Sequence, residues 1–373
     1  MTPSPVRPTF GASSGLGDAR RGMTLAAAPL QAKAGRGMKR RMPDEVRRGV
    51  AVVTGASGFI GGRLRDKLLD DGWDVVALTR PSSPAPKRGR AAAVDYANPD
   101  SLADVLRREK PDVVFHVAGA TKGVTYDDFH RANVMPTRNL ATALLKAHDS
   151  VGRFLNVSSL TAYGPSTPEQ PLIETHTPAP LEHYGRSKLE AERLLMDEIG
   201  TRLPWTTIRP AGVYGPGDVD YFELFRLASR GLNVFYGNRD YWFSAVHVDD
   251  VVRAIVDAAK SDATIGKGYF ICDGQPLTWF DYQKHVVEAV GKRALTLYLP
   301  QFSLDIAAAF GELATRFDRK PRVFNRQKVL MGKQRAWTCK HDAARADFGY
   351  VPKLPVREGV AHTLDWYRSS GWL

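Results

Sequence analysis

The stretch VAVVTGASGFIGGRLRDKLLDDG, residues 50–72, decides how the rest of the chain is read. A β-branched run leads into Gly55, Gly58 and Gly61 at three-residue spacing, and an amphipathic pattern then runs to Gly72. A strand, a tight turn and a helix account for this order. Gly55 permits the turn, Gly58 lets backbone approach a pyrophosphate, Gly61 lets helix and strand pack closely, and the helix N-terminus faces the anion. Ser57, Phe59 and Ile60 complete a predicted dinucleotide-binding loop.

Outward from this loop the pattern repeats. Strands are predicted at 49–55, 74–80, 91–95, 112–119, 153–159, 205–210 and 268–274, with helices near 59–71, 100–109, 127–148, 186–199, 219–230 and 249–260. Nearly all-apolar strands alternating with helices predict an α/β fold, a doubly wound parallel sheet covered on both faces. The second strand ends at Thr79 and Arg80, followed by Lys87, Arg88 and Arg90, where an NAD site usually carries an acid. This favours NADP(H) over NAD(H). Asp95, with Tyr96 beside it, ends the third strand and is expected near the adenine; Ala118 and Gly119 end the fourth, where small residues let a nucleotide lie close.

Composition sets the class. The chain has 373 residues, 43% of them hydrophobic, enough for a full core, and no apolar run long enough to span a bilayer. Cys272 and Cys339 have no metal-ligand spacing, so no metal is expected, and two cysteines fit a reducing, cytoplasmic setting. Residues 1–48 hold ten basic and three acidic residues, +7 of the net +12. The basic excess therefore belongs to a leader expected to be disordered, either a targeting segment or residues upstream of a true start at Met38 or Met42, and does not argue for nucleic-acid binding. The GASSGLG within it, Gly11–Gly17, has glycines but neither strand nor helix around them. Residues 49–210 are read as the nucleotide-binding domain and 211–373 as a substrate-binding part interleaved with its last elements.

NVSSLTAYG places Ser158 and Ser159 at the carboxyl end of the fifth strand, where open α/β sheets bind ligands. In EHYGRSKLEAE, residues 182–192, Tyr184 and Lys188 stand four apart, on one helical face. With the glycine loop, HVAG, YGRSK and RPAGVYGPGD in order, residues 49–370 resemble an extended short-chain dehydrogenase/reductase. The resemblance implies a Rossmann-type domain with a smaller, mainly C-terminal α/β subdomain. It implies catalysis by Ser159, Tyr184 and Lys188. Tyr184 would exchange a proton with a substrate hydroxyl or carbonyl, Lys188 would bring the phenol's pKa down while bonding the nicotinamide ribose, and Ser159 would bond the same substrate oxygen. Ser158 would close the strand, Pro210 would face the cofactor, and Asn133, near Pro136 where glycine is usual, would pack beside it. Thr121, Thr161, Gly212, Val213 and Tyr214 are the expected substrate contacts.

Two departures narrow the chemistry. Thr161 stands where sugar dehydratases of the family carry a carboxylic acid, and Gly212 where nucleotide-sugar enzymes carry asparagine. The tail and the Arg209–Gly212 segment look like the 3β-hydroxysteroid and sterol-4-carboxylate dehydrogenase branch, with dihydroflavonol-reductase-like enzymes as neighbours. The expectation is a secondary-alcohol/ketone oxidoreductase on an apolar, sterol-like or lipid-derived substrate. Alternatives are a nucleotide-sugar 4-epimerase with retained NAD and, more remotely, an NADP-sensing protein without catalysis. The aromatics between 214 and 243 suit either an apolar ligand or a core. Asp249 or Asp250 is expected to cap a helix. The stripe Ile306, Phe310, Leu313, Phe317 is expected to cover the substrate pocket, with a membrane-surface contact, helped by Arg316, Arg319, Lys320 and Arg322, as the other reading. A homodimer is implied only by analogy.

Overall fold

The computed structural model describes residues 49–83, 85–147, 151–318 and 325–373. The basic leader, its GASSGLG segment, and Arg319, Lys320 and Arg322 lie outside the described residues.

From the amino end, β1 (Val50–Thr54), α1 (Phe59–Asp70), β2 (Asp74–Thr79), β3 (Arg90–Ala93), α2 (Pro99–Glu109) and β4 (Val113–His116) are followed by α3 (Tyr126–Phe129). A π-turn at His130–Val134 joins α3 to α4 (Met135–Ala147); β5 (Arg153–Val157), α5 (His183–Arg193) and β6 (Trp205–Pro210) complete the nucleotide-binding half. Beyond it run β7 (Gly212–Tyr214), α6 (Phe222–Ser229), β8 (Leu232–Tyr236), β9 (Trp242–Phe243), β10 (Ala245–His247), α7 (Val248–Lys260) and β11 (Lys267–Ile271). The chain closes with β12 (Leu277–Thr278), α8 (Trp279–Val290), β13 (Leu295–Leu299), α9 (Gln301–Asp318), α10 (Arg326–Gly332), β14 (Ala336–Trp337), α11 (Asp342–Phe348) and α12 (Val356–Ser369).

Seven strands form one parallel sheet in the order β3-β2-β1-β4-β5-β6-β11. The winding reverses between β1 and β4, which opens a crevice at their carboxyl ends, the place where such sheets take a ligand. Valines set the register: Val52 lies between Val76 of β2 and Val114 of β4. Separate apolar cores cover the two faces, one built on Leu64, Leu68 and α7, the other on Leu102, Leu106, Leu140 and Leu144. The C-terminal part returns β11 to the sheet and adds small sheets, β7 with β10, β8 with β13, and β9 between β12 and β14. Among the described residues no helix is long and apolar enough to cross a membrane.

Three expectations change here. The aromatic density is mostly core: Tyr214, Phe225, Phe243 and Tyr282 are buried in one cluster, ring against ring. Tyr214, expected to touch substrate, is 0% exposed and packs edge-on to His247 and Tyr282, so no ligand reaches it. Helix α7 is capped by His247, whose Nδ1 accepts from the Asp249 N–H at 3.2 Å, not by either aspartate. Asp250 instead accepts the backbone N–H groups of Lys353 and Leu354, tying down the segment that leads into α12.

The third change is in α9. Asp305 pairs with Lys333 and Glu312 with Arg326, so its polar side faces α10. Its apolar stripe, Phe302, Ile306, Phe310, Leu313 and Phe317, points outward, each residue at least half exposed. The stripe therefore does not cover a pocket.

Candidate active site

The glycine loop needs its glycines for separate physical reasons. Gly55 has φ +68°, and a Cβ there would lie 2.8 Å from the Ala118 nitrogen. At Gly61 a Cβ would lie 2.1 Å from the Gly55 carbonyl oxygen, so only glycine lets α1 start this close to the turn. Gly58 caps α1 without any side-chain hydrogen bond, so no side chain covers the first-turn N–H groups, and the positive end of the helix opens toward the crevice with Ser57 exposed beside it. Gly119, across the crevice, would carry a Cβ 2.9 Å from Asn133 Oδ1 and 3.1 Å from Lys188 Nζ. A cradle that a single methyl would fill on three sides fits a flat, anionic dinucleotide.

A buried polar network holds the cradle. Thr54 Oγ1 accepts the N–H groups of Val117 and Ala118 and meets His116 Nδ1 at 2.9 Å; His116 Nε2 meets Thr137 Oγ1, which donates to the Asn133 carbonyl at 2.7 Å. Burial, with Lys188 nearby, pushes the His116 pKa down to about 3, so this imidazole is neutral. The π-turn sets the Asn133 side chain, which accepts from Ala120 N–H and donates to the Ala120 carbonyl and Ser187 Oγ. His116 was not singled out from the sequence, because a histidine in HVAG reads as one more strand residue.

At the adenine end, Tyr96 donates to the Leu78 carbonyl, Asp95 folds back onto the Ala97 N–H, and Arg80 is exposed close to Tyr96. Of the other cations there, Arg88 pairs with Asp70 and Arg90 with Asp74 and Glu109. Arg80 makes no ion pair among the described residues. Pro210 is buried at the end of β6.

The three expected catalytic residues meet at the carboxyl end of β5. Ser159 Oγ accepts from the Thr161 N–H and hydroxyl, on the side of the Tyr184 phenol. Lys188, 7% exposed, donates from Nζ to the Val157 carbonyl at 2.9 Å and lies 5.9 Å from the centre of the Tyr184 ring. Burial pushes the lysine down to about 8, with Glu192 opposing. Burial pushes the phenol up to about 12, with the Ser159 hydroxyl holding it down and Glu182 adding to the rise. The Ser158 N–H closes the strand on Ile208, yet its buried hydroxyl has no partner among the described residues.

Of the expected substrate contacts, Thr121 is exposed at the crevice rim and Val213 is half-buried. Thr161 lies one hydroxyl behind Ser159. Gly212 is enclosed, since a Cβ there would fall 2.5 Å from the Tyr221 hydroxyl. A carboxyl does stand near Thr161, from another element: Glu182 caps α5, accepting the N–H groups of Tyr184 and Gly185. Glutamate two residues before the tyrosine was the available signal, and its nearness to Thr161 is visible only in three dimensions.

Residues 51–272 match the NAD dependent epimerase/dehydratase family. Ceramide reductase of Caulobacter vibrioides is 30% identical over 333 residues, 87% of this chain and 96% of that protein. A 3-beta-hydroxysteroid dehydrogenase of Mycolicibacterium neoaurum is 28% identical, covering 86% and 91%. Among solved structures, MoeE5 in complex with UDP-glucuronic acid and NAD aligns with TM-score 0.69 and 27% identity, covering 86% of this chain and 100% of that one. The chain belongs to this family, the extended short-chain dehydrogenase/reductases, and is an NAD(P)-dependent oxidoreductase acting on CH–OH groups.

Proposed function

We propose that the protein interconverts a secondary alcohol and a ketone on an apolar, lipid-derived substrate of the sterol or long-chain class. Tyr184 gives its proton to, or takes it from, the substrate oxygen; Ser159 bonds the same oxygen; Lys188, buried beside the crevice, binds the nicotinamide ribose. The nicotinamide, when bound, supplies or accepts the hydride. Gly55, Ser57, Gly58, Phe59, Ile60 and Gly61 hold the pyrophosphate, Asp95 and Tyr96 the adenine side, and Ala118, Gly119 and Pro210 the nicotinamide side. Arg80 favours NADP(H), because it is a cation at the ribose tip with no ion pair among the described residues.

The observation that carries the substrate class is at Gly212. The Tyr221 hydroxyl occupies the space where a side chain would project, so the asparagine that helps hold a sugar nucleotide has no room here. The ceramide and steroid names of the two relatives point the same way. A nucleotide-sugar 4-epimerase is the second reading, favoured by the sugar nucleotide bound in the solved relative.

Absorbance of reduced nicotinamide is the test, with NAD⁺ or NADP⁺ offered alongside 3-hydroxysteroids, long-chain secondary alcohols or UDP-sugars. Net reduction with a lipid alcohol, faster with NADP⁺, is expected. A new sugar epimer without net reduction would replace this reading by the second. The outward stripe of α9 supports contact with a membrane surface, from which such a substrate would be drawn. A homodimer through the same stripe is the competing use of that surface.

A further inference from the structure

A buried arginine behind the glycine loop has no part in the reaction as described. Arg65, 7% exposed, stands in the second turn of α1. Its Nε and Nη2 donate to Asp66 Oδ1 at 3.0 and 2.8 Å, and its Nη1 donates to the Ala56 carbonyl at 3.0 Å. Helix side chains lean toward the amino end, and residues four apart share a face, so the path from Arg65 to the loop runs over Gly61. Because Gly61 has no side chain, that path is open.

The bond to Ala56 fixes more than one carbonyl. The Gly58 N–H donates to the Gly55 carbonyl at 2.9 Å, which makes residues 55–58 a tight turn whose central peptide joins Ala56 to Ser57. Turns of type I and type II differ in which way that peptide faces. The carbonyl and N–H of a trans peptide point in opposite directions, and none of the described peptides is cis. With the Ala56 carbonyl turned back to Arg65, the Ser57 N–H points away from it, to the side where Ser57 and Gly58 are exposed. Among the described residues that N–H has no partner. The flipped peptide would set the N–H against the guanidinium, donor facing donor, and an arginine has no acceptor to offer. It would also ask for positive φ at Ser57, which is not found there and which a side chain resists.

We propose that Arg65 is a positioning residue for the cofactor: it locks the central peptide of the 55–58 turn so that the Ser57 N–H is aimed at the pyrophosphate before the dinucleotide arrives. The proposal rests on the glycine loop holding the pyrophosphate. Neighbouring cations of α1 are turned elsewhere, Arg63 to Asp249 at 3.2 Å and Lys67 to Asp71 at 2.5 Å. Asp66, which takes two donors from Arg65 on one oxygen, holds the guanidinium so that its remaining amino group faces the loop. A donor already aimed needs no reordering when the anion binds, which is the gain from preorganisation.

The test is binding to the protein without substrate. Affinities for NADPH, NADH and ADP-ribose are measured by calorimetric titration for the protein, for Arg65→Met, which keeps an unbranched chain and has no donor, and for Arg65→Lys; adenosine, which has no pyrophosphate, is titrated in parallel. Arg65→Met is expected to weaken every pyrophosphate ligand at least about tenfold, as loss of one hydrogen bond to a charged group would, and to leave adenosine unchanged. Arg65→Lys, whose ammonium still reaches for the Ala56 carbonyl, should recover most of the loss. A merely structural arginine would move adenosine and the dinucleotides together or move neither, and either result would overturn the proposal. If Arg65→Met does not fold, amide exchange in the unaltered protein decides. The Ser57 N–H should exchange as an open amide in the free protein and at least about tenfold more slowly with saturating ADP-ribose; an amide already protected in the free protein would overturn the proposal. Failure of the unaltered protein to bind any of the three pyrophosphate ligands would instead overturn the dinucleotide site on which the proposal rests.

Discussion

Removing one oxygen at Tyr184 separates chemistry from binding. In the proposed reaction the phenol moves the proton to or from the substrate oxygen, while the glycine loop and Lys188 make their contacts without it. Tyr184→Phe is therefore expected to lower kcat by roughly 10²–10⁴-fold and to leave the affinity for reduced nicotinamide, read by its fluorescence, unchanged. His116 supports a prediction of a different kind. Its folded pKa of about 3 lies below the unfolded value of about 6.5. Its burial as the neutral form therefore costs nothing above pH 6.5 or so, and stability is lost as pH falls from there toward 3, where unfolding takes up a proton. The slope from this residue alone is about 1.4 kcal/mol per pH unit. Urea unfolding across that window should show the slope in the protein, and His116→Asn, although less stable throughout, should lose it.

At the scale of elements, the contact between the β1–α1 turn and the start of α1 is the tightest constraint in the site. Gly61→Ala would drive a methyl into the Gly55 carbonyl at 2.1 Å, and backbone cannot step aside as a side chain can. The helix must back away from the loop, so the substitution is expected to weaken nicotinamide-dinucleotide binding at least tenfold and to destabilise the fold by about 1–3 kcal/mol. Calorimetric titration and thermal unfolding check the two effects; Gly62→Ala, whose Cβ would meet only ordinary contact at 3.6 Å, should show neither. The elements that build this contact were legible in the sequence because strand period, glycine spacing and helix period agree there, and the seven strands of the parallel sheet begin and end within three residues of the predicted ones, whereas the short strands of the small sheets were not predicted. Legibility failed where a cap is chosen by tertiary contact. Asp249 and Asp250 both suit an N-cap locally, but Asp250 is drawn to the backbone of Lys353 and Leu354, a partner about a hundred residues away, and His247 takes the cap.

Over the whole molecule, what the sequence left open was which apolar groups face inward. Tyr214, Tyr221, Phe225 and Phe243 carry no period that separates a core from a ligand pocket, and only the arrival of α8 and α12 against them closes the cluster. The reverse happened in α9, where a regular apolar stripe implies burial but two ion pairs turn the polar side inward, onto α10. The outward side then joins Leu295, Leu297, Tyr298 and Leu299 of β13 among the exposed apolar residues. Helix α10 in turn reaches the active site, where Gln327 Oε1 accepts the His183 N–H at 3.1 Å, one residue from Tyr184. A membrane under α9 would lie against the same helix pair that abuts the residue before Tyr184. The exposed aromatic and aliphatic groups of α9 are the surface on which the proposed contact with lipid would rest. The protein should float with vesicles of phosphatidylcholine containing anionic phosphatidylserine, and less with phosphatidylcholine alone. Phe302→Ser combined with Phe310→Ser should reduce flotation at least tenfold, since each removes apolar contact worth about 1.5–3 kcal/mol when buried, while turnover of a short, water-soluble alcohol stays the same. Flotation that survives both substitutions would detach the stripe from the membrane. Absence of flotation together with a dimer that the same two substitutions dissociate would assign this face to a second copy of the chain.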